Sequence, residues 1–231
     1  MPKKTKAIKK TNEGQAWARR KMESKPYRVE SREIQKSFVI ICEGKNTEPA
    51  YFRSFKLGNA EVKTFGIGMS KTVLVQHAIA IKESYGDDYE YWVVFDMDIK
   101  PGQLSNQKED VNKAVEIAEG NDIYVAFSND AFELWFILHY EYLTSQITRN
   151  EMYKKLSSKW DCNYVKSGKR PSFCAKIYQR LQSDPKASQK DAIKNAKKLE
   201  RLHNKEQFAD KNPYTSVYLL VQELNHYLNN D

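Results

Sequence analysis

The sequence predicts an α/β protein with a four-stranded, mainly parallel sheet flanked by helices and a helical C-terminal extension. Three observations carry this expectation. Four short runs rich in β-branched and aromatic residues recur between residues 37 and 127, the pattern of buried strands. A segment with helical spacing or capping signals follows each run, as parallel crossovers require. Beyond Tyr140 the strand-like runs largely stop and helical stretches take over.

Each element follows in order. Ser37-Phe-Val-Ile-Ile-Cys42 is the first strand, and Glu43-Gly-Lys-Asn-Thr-Glu-Pro49 is the loop after it. Gly44 lets the backbone turn sharply beside Glu43. Thr47 is a candidate N-cap and Pro49 suits a first helical turn, so residues 50–55 form a short helix. Residues 61–65 form a second strand, which Gly66-Ile-Gly-Met-Ser70 breaks. Residues 71–85 place apolar side chains at 74, 78 and 81, the spacing of an amphipathic helix. Gly86-Asp-Asp turns the chain into a third strand over residues 91–95, ended by Asp96-Met-Asp98. Residues 99–107 are polar, contain Pro-Gly and are expected to form a mobile loop. Val111, Ala114, Val115 and Ala118 share one face of a helix over 110–119, stopped by Gly120-Asn121. Residues 123–127 form the fourth strand. Asp130-Ala-Phe-Glu133 then resembles a capping box opening a strongly apolar helix over 134–140.

Residues 149–158, 173–182, 188–203 and 214–228 read as helical, and 162–171 as a flexible basic loop. The expected division is a basic arm over 1–36, the α/β core over 37–145 and a helical region over 146–231. No stretch approaches the roughly 18 apolar residues of a membrane span, and the lysine-rich N-terminus lacks the apolar block of a secretion signal. Cys42, Cys162 and Cys174 form no CxxC pair, and no histidine stands at zinc-type spacing from a cysteine. A cytoplasmic protein without disulfide or zinc is the expectation. Residues 1–36 hold 12 Lys/Arg against 4 Asp/Glu, whereas the rest holds 26 of each. Such an arm binds a polyanion through phosphate contacts, or else serves as a solubilising tail.

The chemistry sits at the strand ends. In a parallel sheet the ligand crevice lies at the carboxyl ends of the strands, where this chain places Glu43, Asp96 and Asp98. Period-2 geometry aims Asp96 and Asp98 to one side if the strand continues through them. Three oxygen donors suit Mg²⁺, with Mn²⁺ as a substitute, and such ions activate water and polarise phosphoryl oxygens. Glu48 is a further candidate ligand, or a charge favouring the next helix N-terminus. Glu133 is another, with capping as its ordinary role. Lys45, Lys169 and Arg170 are candidate phosphate contacts. His139 follows a core block and reads as a packed or surface histidine rather than a base.

The segments Ile41–Phe52, Val94–Asp98, Ser128–His139 and Asn212–Val217 together resemble the RloB-like family over about residues 37–228. That resemblance implies a Toprim-like core. It implies a glutamate after the first strand for acid/base or metal chemistry, here Glu43, and a Mg²⁺-binding DxD after the third, here Asp96 and Asp98. It also implies a place in bacterial antiphage defence (abortive infection), a nucleic-acid substrate with RNA or tRNA favoured, an ATPase partner encoded nearby, and a homo-oligomer. Asp130 departs from the proline the resemblance implies after Ser128-Asn129. The expected activity is a Mg-dependent endonuclease. The alternative is a non-catalytic nucleic-acid-binding or assembly subunit, because fold does not fix function.

Overall fold

A computed structural model describes residues 36–58, 60–64, 70–99 and 102–228; the arm expected over 1–36 lies, except for Lys36, outside the described residues, as does most of the 66–70 breaker. The sheet is built from β1 (Ser37–Cys42), β2 (Ala60–Thr64), β3 (Tyr89–Asp96), β4 (Tyr124–Asn129) and β5 (Tyr214–Thr215) in the order β2-β1-β3-β4-β5. The first four strands run parallel, as expected. The fifth is an addition: a two-residue antiparallel strand pairing Ser128 with Thr215 and Asn129 with Tyr214. It falls within the 214–228 segment expected to be helical throughout. Only after Ser216 does the helix begin.

Between the strands lie α1 (Thr47–Arg53), α2 (Lys71–Tyr85) and α3 (Leu104–Glu119), and after β4 comes α4 (Glu133–Leu138). The helical region then contributes α5 (Arg149–Lys159), α6 (Tyr164–Ser167), α7 (Pro171–Cys174), α8 (Ile177–Ser183), α9 (Gln189–Leu202), a 3-10 turn at Phe208–Asp210 and α10 (Val217–Leu228). Strand periodicity sorts the core into two layers. Phe38, Ile40, Cys42, Trp92, Val94 and Ala126 pack against α1 and the helices from α4 onward. Val39, Ile41, Tyr91, Val93, Phe95 and Phe127 pack against α2 and α3. The helical region therefore shares its apolar core with the sheet.

Several local expectations are corrected. Helix α3 starts at Leu104, inside the segment expected as a loop, because its polar first turn faces solvent. Thr47 lies within α1 rather than capping it, and Asn46, the N-cap residue, makes no side-chain cap. The segment 162–171 holds α6 and the start of α7 instead of a continuous loop, and the helix expected over 173–182 is divided between α7 and α8. Asp130 and Glu133 form no capping box: Phe132 is the N-cap residue of α4, and it makes no side-chain cap. The Asn129–Asp130 peptide is cis. No helix among the described residues is long and apolar enough to cross a membrane. All three cysteines are free.

Candidate active site

Backbone pairing brings the acidic strand ends together. Cys42 pairs with Val94 and Asp96 with Ser128, so β1, β3 and β4 end almost level. The Glu43 N–H donates to Val94 O at 2.9 Å, extending the ladder by one residue. Alternation then sends the two acids apart. Asp96 follows the parity of Trp92 and Val94, toward the layer containing α5. Glu43 follows Val39 and Ile41, toward α2. The condition for aiming Asp96 and Asp98 to one side is not met, because β3 ends at Asp96, Met97 is fully buried, and Asp98 has φ 52°. Aspartate tolerates this left-handed backbone better than most residues. The loop is pinned by Met97 N to Ser128 O (2.9 Å) and Asp98 N to Asp130 O (3.1 Å).

Each acid has a cationic partner from a distant element. Lys71, the first residue of α2, donates to both Glu43 carboxylate oxygens at 2.6 and 2.5 Å. Lys71 is held in place because Asp110 of α3 accepts its N–H (2.6 Å) and bonds Thr72 through its N–H and hydroxyl. Arg149, the first residue of α5, spans the other pair: Nη1 donates to Asp98 Oδ1, and Nη2 to Asp96 Oδ2 at 3.3 Å. Asp130 anchors that helix start, accepting the Arg149 N–H at 3.1 Å and the Ile99 N–H at 2.9 Å.

Of these side chains, Glu43, Asp96, Asp98 and Arg149 line one cavity of about 250 Å³. Its acids are Glu43, Glu48, Asp96 and Asp98, and its cations are Lys45, Arg149 and Lys169. Burial pushes the Asp96 carboxyl up to about 7; Arg149 opposes that rise and Glu48 adds to it. Burial likewise raises Glu48, against the pull of Lys169. Although burial pulls the other way, Asp96 and Asp98 hold the Arg149 guanidinium above its ordinary value. Glu48 sits in the first turn of α1, where its charge suits the helix N-terminus, and its side chain also lines the cavity. Gly44 is needed for space rather than for an unusual φ. A Cβ there would fall on the Glu48 carboxylate.

Of the remaining candidates, Glu133 and Arg170 do not line the cavity. Glu133 is completely buried, and its Oε1 accepts from Tyr164 OH (2.8 Å) and Lys169 Nζ (2.7 Å). It holds Lys169 in place while Glu48 faces the same ammonium. Gly168 makes room for the Tyr164 ring, which an added Cβ would meet at 2.6 Å. Arg170 is exposed and precedes α7. Lys45 lies exposed at the rim. His139 takes the packed of the two placements expected for it: it is 3% exposed, its Nδ1 lies 2.9 Å from Trp135 O, and burial lowers its pKa to about 4.

Sequence reading missed Lys71, Arg149 and the tertiary role of Asp130. One signal was available. Thr148-Arg-Asn-Glu151 is a true capping box, and it puts Arg149 at a helix N-terminus, where the dipole disfavours a cation unless something else holds it. As the side chains stand, no three His, Cys, Asp or Glu groups among the described residues are gathered to hold one metal ion.

Fold and site together define a parallel α/β protein with a charged cavity at the carboxyl ends of its central strands. The chain belongs to the RloB-like family, whose profile, described as RloB-like protein, matches residues 38–224. A comparison with curated proteins returned no match.

Proposed function

We propose that this RloB-like protein is a divalent-metal-dependent nuclease that hydrolyses phosphodiester bonds in nucleic acid. The observation that carries the reading is the convergence of Glu43, Glu48, Asp96 and Asp98 with Lys45, Arg149 and Lys169 on one cavity at the ends of parallel strands. Carboxylate oxygens are the donors Mg²⁺ or Mn²⁺ requires, so the residue types fit such an ion chemically, and Asp96, Asp98 and Glu43 would be the ones to hold it. A bound ion would supply Lewis acidity and a more acidic water. Glu43 would orient an attacking water or take up its proton. Lys169, braced by Glu133, and Lys45 at the rim bind phosphate oxygens of the substrate strand. RNA, tRNA in particular, a role in antiphage defence, an ATPase partner and self-association are proposed on the family resemblance.

A non-catalytic binding or assembly subunit is the second reading. It is favoured by the pairing of Glu43 with Lys71 and of the two aspartates with Arg149, which engages all three carboxylates with cations of the protein itself. The deciding experiment incubates purified protein with mixed RNA and DNA in Mg²⁺ or Mn²⁺. Wild type is expected to cut, and Asp96→Ala, Asp98→Ala and Glu43→Gln to lose cutting. Expression toxicity that vanishes in Glu43→Gln gives the same answer in cells. Equal behaviour of all four proteins in both assays overturns the nuclease.

A further inference from the structure

We infer that Arg149 is an exchangeable counter-ion, shuttling between the Asp96–Asp98 pair and a phosphodiester of the substrate, so that metal and nucleic acid bind cooperatively. The inference rests on the nuclease reading and adds to it a residue and a coupling.

The argument starts from the guanidinium. Its two terminal nitrogens reach one oxygen of each aspartate, so a single planar fork engages both carboxylates proposed to hold the ion. Guanidinium keeps its proton throughout the working pH range, and the two aspartates hold that proton more firmly still. Deprotonation therefore cannot clear the way for a cation. Arg149 leaves the aspartates only if another anion receives it, and a phosphodiester accepts the same fork through two oxygens.

The surroundings permit this exchange at Arg149 and oppose it at Lys71. Arg149 has its backbone N–H tied to Asp130, so the start of α5 stays fixed while the side chain moves. That side chain is 29% exposed and lines the cavity, and its buried Nε has no hydrogen-bond partner. The N-terminus of α5 offers it no electrostatic reward. Lys71 has a 9% exposed side chain and a helix start clamped by Asp110. It is a fixed counter-ion for Glu43. The site thus carries one permanent and one transferable cation, and transfer of Arg149 to substrate frees aspartate oxygens for metal.

The test is a Mn²⁺ titration of the full chain, read by the signal of free Mn²⁺ in electron paramagnetic resonance. It is run alone and with an uncleavable strand, either 2′-O-methyl RNA or phosphorothioate DNA. In wild type the strand is expected to tighten Mn²⁺ binding roughly tenfold, and Mn²⁺ to tighten the strand by the same factor. Arg149→Gln is expected to bind Mn²⁺ about tenfold more tightly without any strand, and to lose the coupling. Arg149→Lys, which keeps the charge but not the fork, is expected to fall between, and it carries the test if Arg149→Gln does not fold. If wild type binds Mn²⁺ but neither variant shifts that affinity or the coupling, the counter-ion exchange is overturned and the nuclease reading stands. If no form binds Mn²⁺ with or without a strand, the metal-dependent reading itself falls, and this inference with it.

Discussion

Lys169 donates to Glu133 at 2.7 Å across 36 residues of chain, and the two ends of that bond live in different surroundings. The Glu133 side chain has no exposed surface, whereas that of Lys169 is 47% exposed. Removing the two partners should therefore cost different amounts. Lys169→Met leaves a buried carboxylate with only Tyr164 to satisfy it, and should destabilise by about 2–4 kcal/mol. Glu133→Gln leaves a lysine that water can reach, and should cost about 1–2 kcal/mol. Urea denaturation of both variants measures the difference; equal losses would show that the pair is not the source.

Asp130 holds two backbone N–H groups, that of Ile99 after β3 and that of Arg149 at the start of α5. Asp130→Ala removes both acceptors and should cost about 1–3 kcal/mol. Asp130→Asn keeps one side-chain oxygen and should lose roughly half as much. Amide exchange of Ile99 and Arg149 reports the effect directly: both should speed up in Asp130→Ala, only one in Asp130→Asn.

Gly44 and Glu48 should be energetically coupled. A methyl group at residue 44 overlaps the Glu48 carboxylate, so Gly44→Ala should cost about 1–3 kcal/mol. In a Glu48→Ala background the same change should cost well under half of that. A double-mutant cycle on thermal or urea stability reads the coupling, and additive effects would contradict the contact.

His139 should make the protein sensitive to mild acid. Its pKa is lowered to about 4 in the folded state against an ordinary value of 6.5, so the unfolded chain binds more protons between those limits. Stability contributed by keeping this ring neutral is present above pH 6.5 and is lost as pH falls toward 4. The loss is on the order of 3 kcal/mol at the low end. His139→Gln, which has no charge to acquire, should show a correspondingly flatter decline between pH 7 and pH 4.5 in urea melts.

Much of the architecture was legible because it is local. Lys71–Tyr85 carries its apolar face and its breakers in plain order, and the helix matches the expected ends. The four parallel strands read from β-branched runs, and the acidic residues from where those runs stop. What escaped was either too short or too distant. Tyr214–Thr215 is two residues long, below any periodic signal, and exists because the end of β4 offers it partners. The first turn of α3 is nearly all polar because it faces water. Asp130-Ala-Phe-Glu133 has the spacing of a capping box, yet both carboxylates are engaged by elements later in the chain. Lys71 and Arg149 reach acids 28 and 51 or more residues away, and no local pattern encodes such a meeting.

The parity of β1 and β3 imposes a rule on length. Glu43 answers to the helices on one side of the sheet and Asp96 to those on the other, although both open onto one cavity. A single-residue insertion just before either acid would hand its carboxylate to the opposite layer, away from Lys71 or Arg149, while a two-residue insertion would restore its side. At these two strand ends the chain should therefore tolerate changes of length only in even steps.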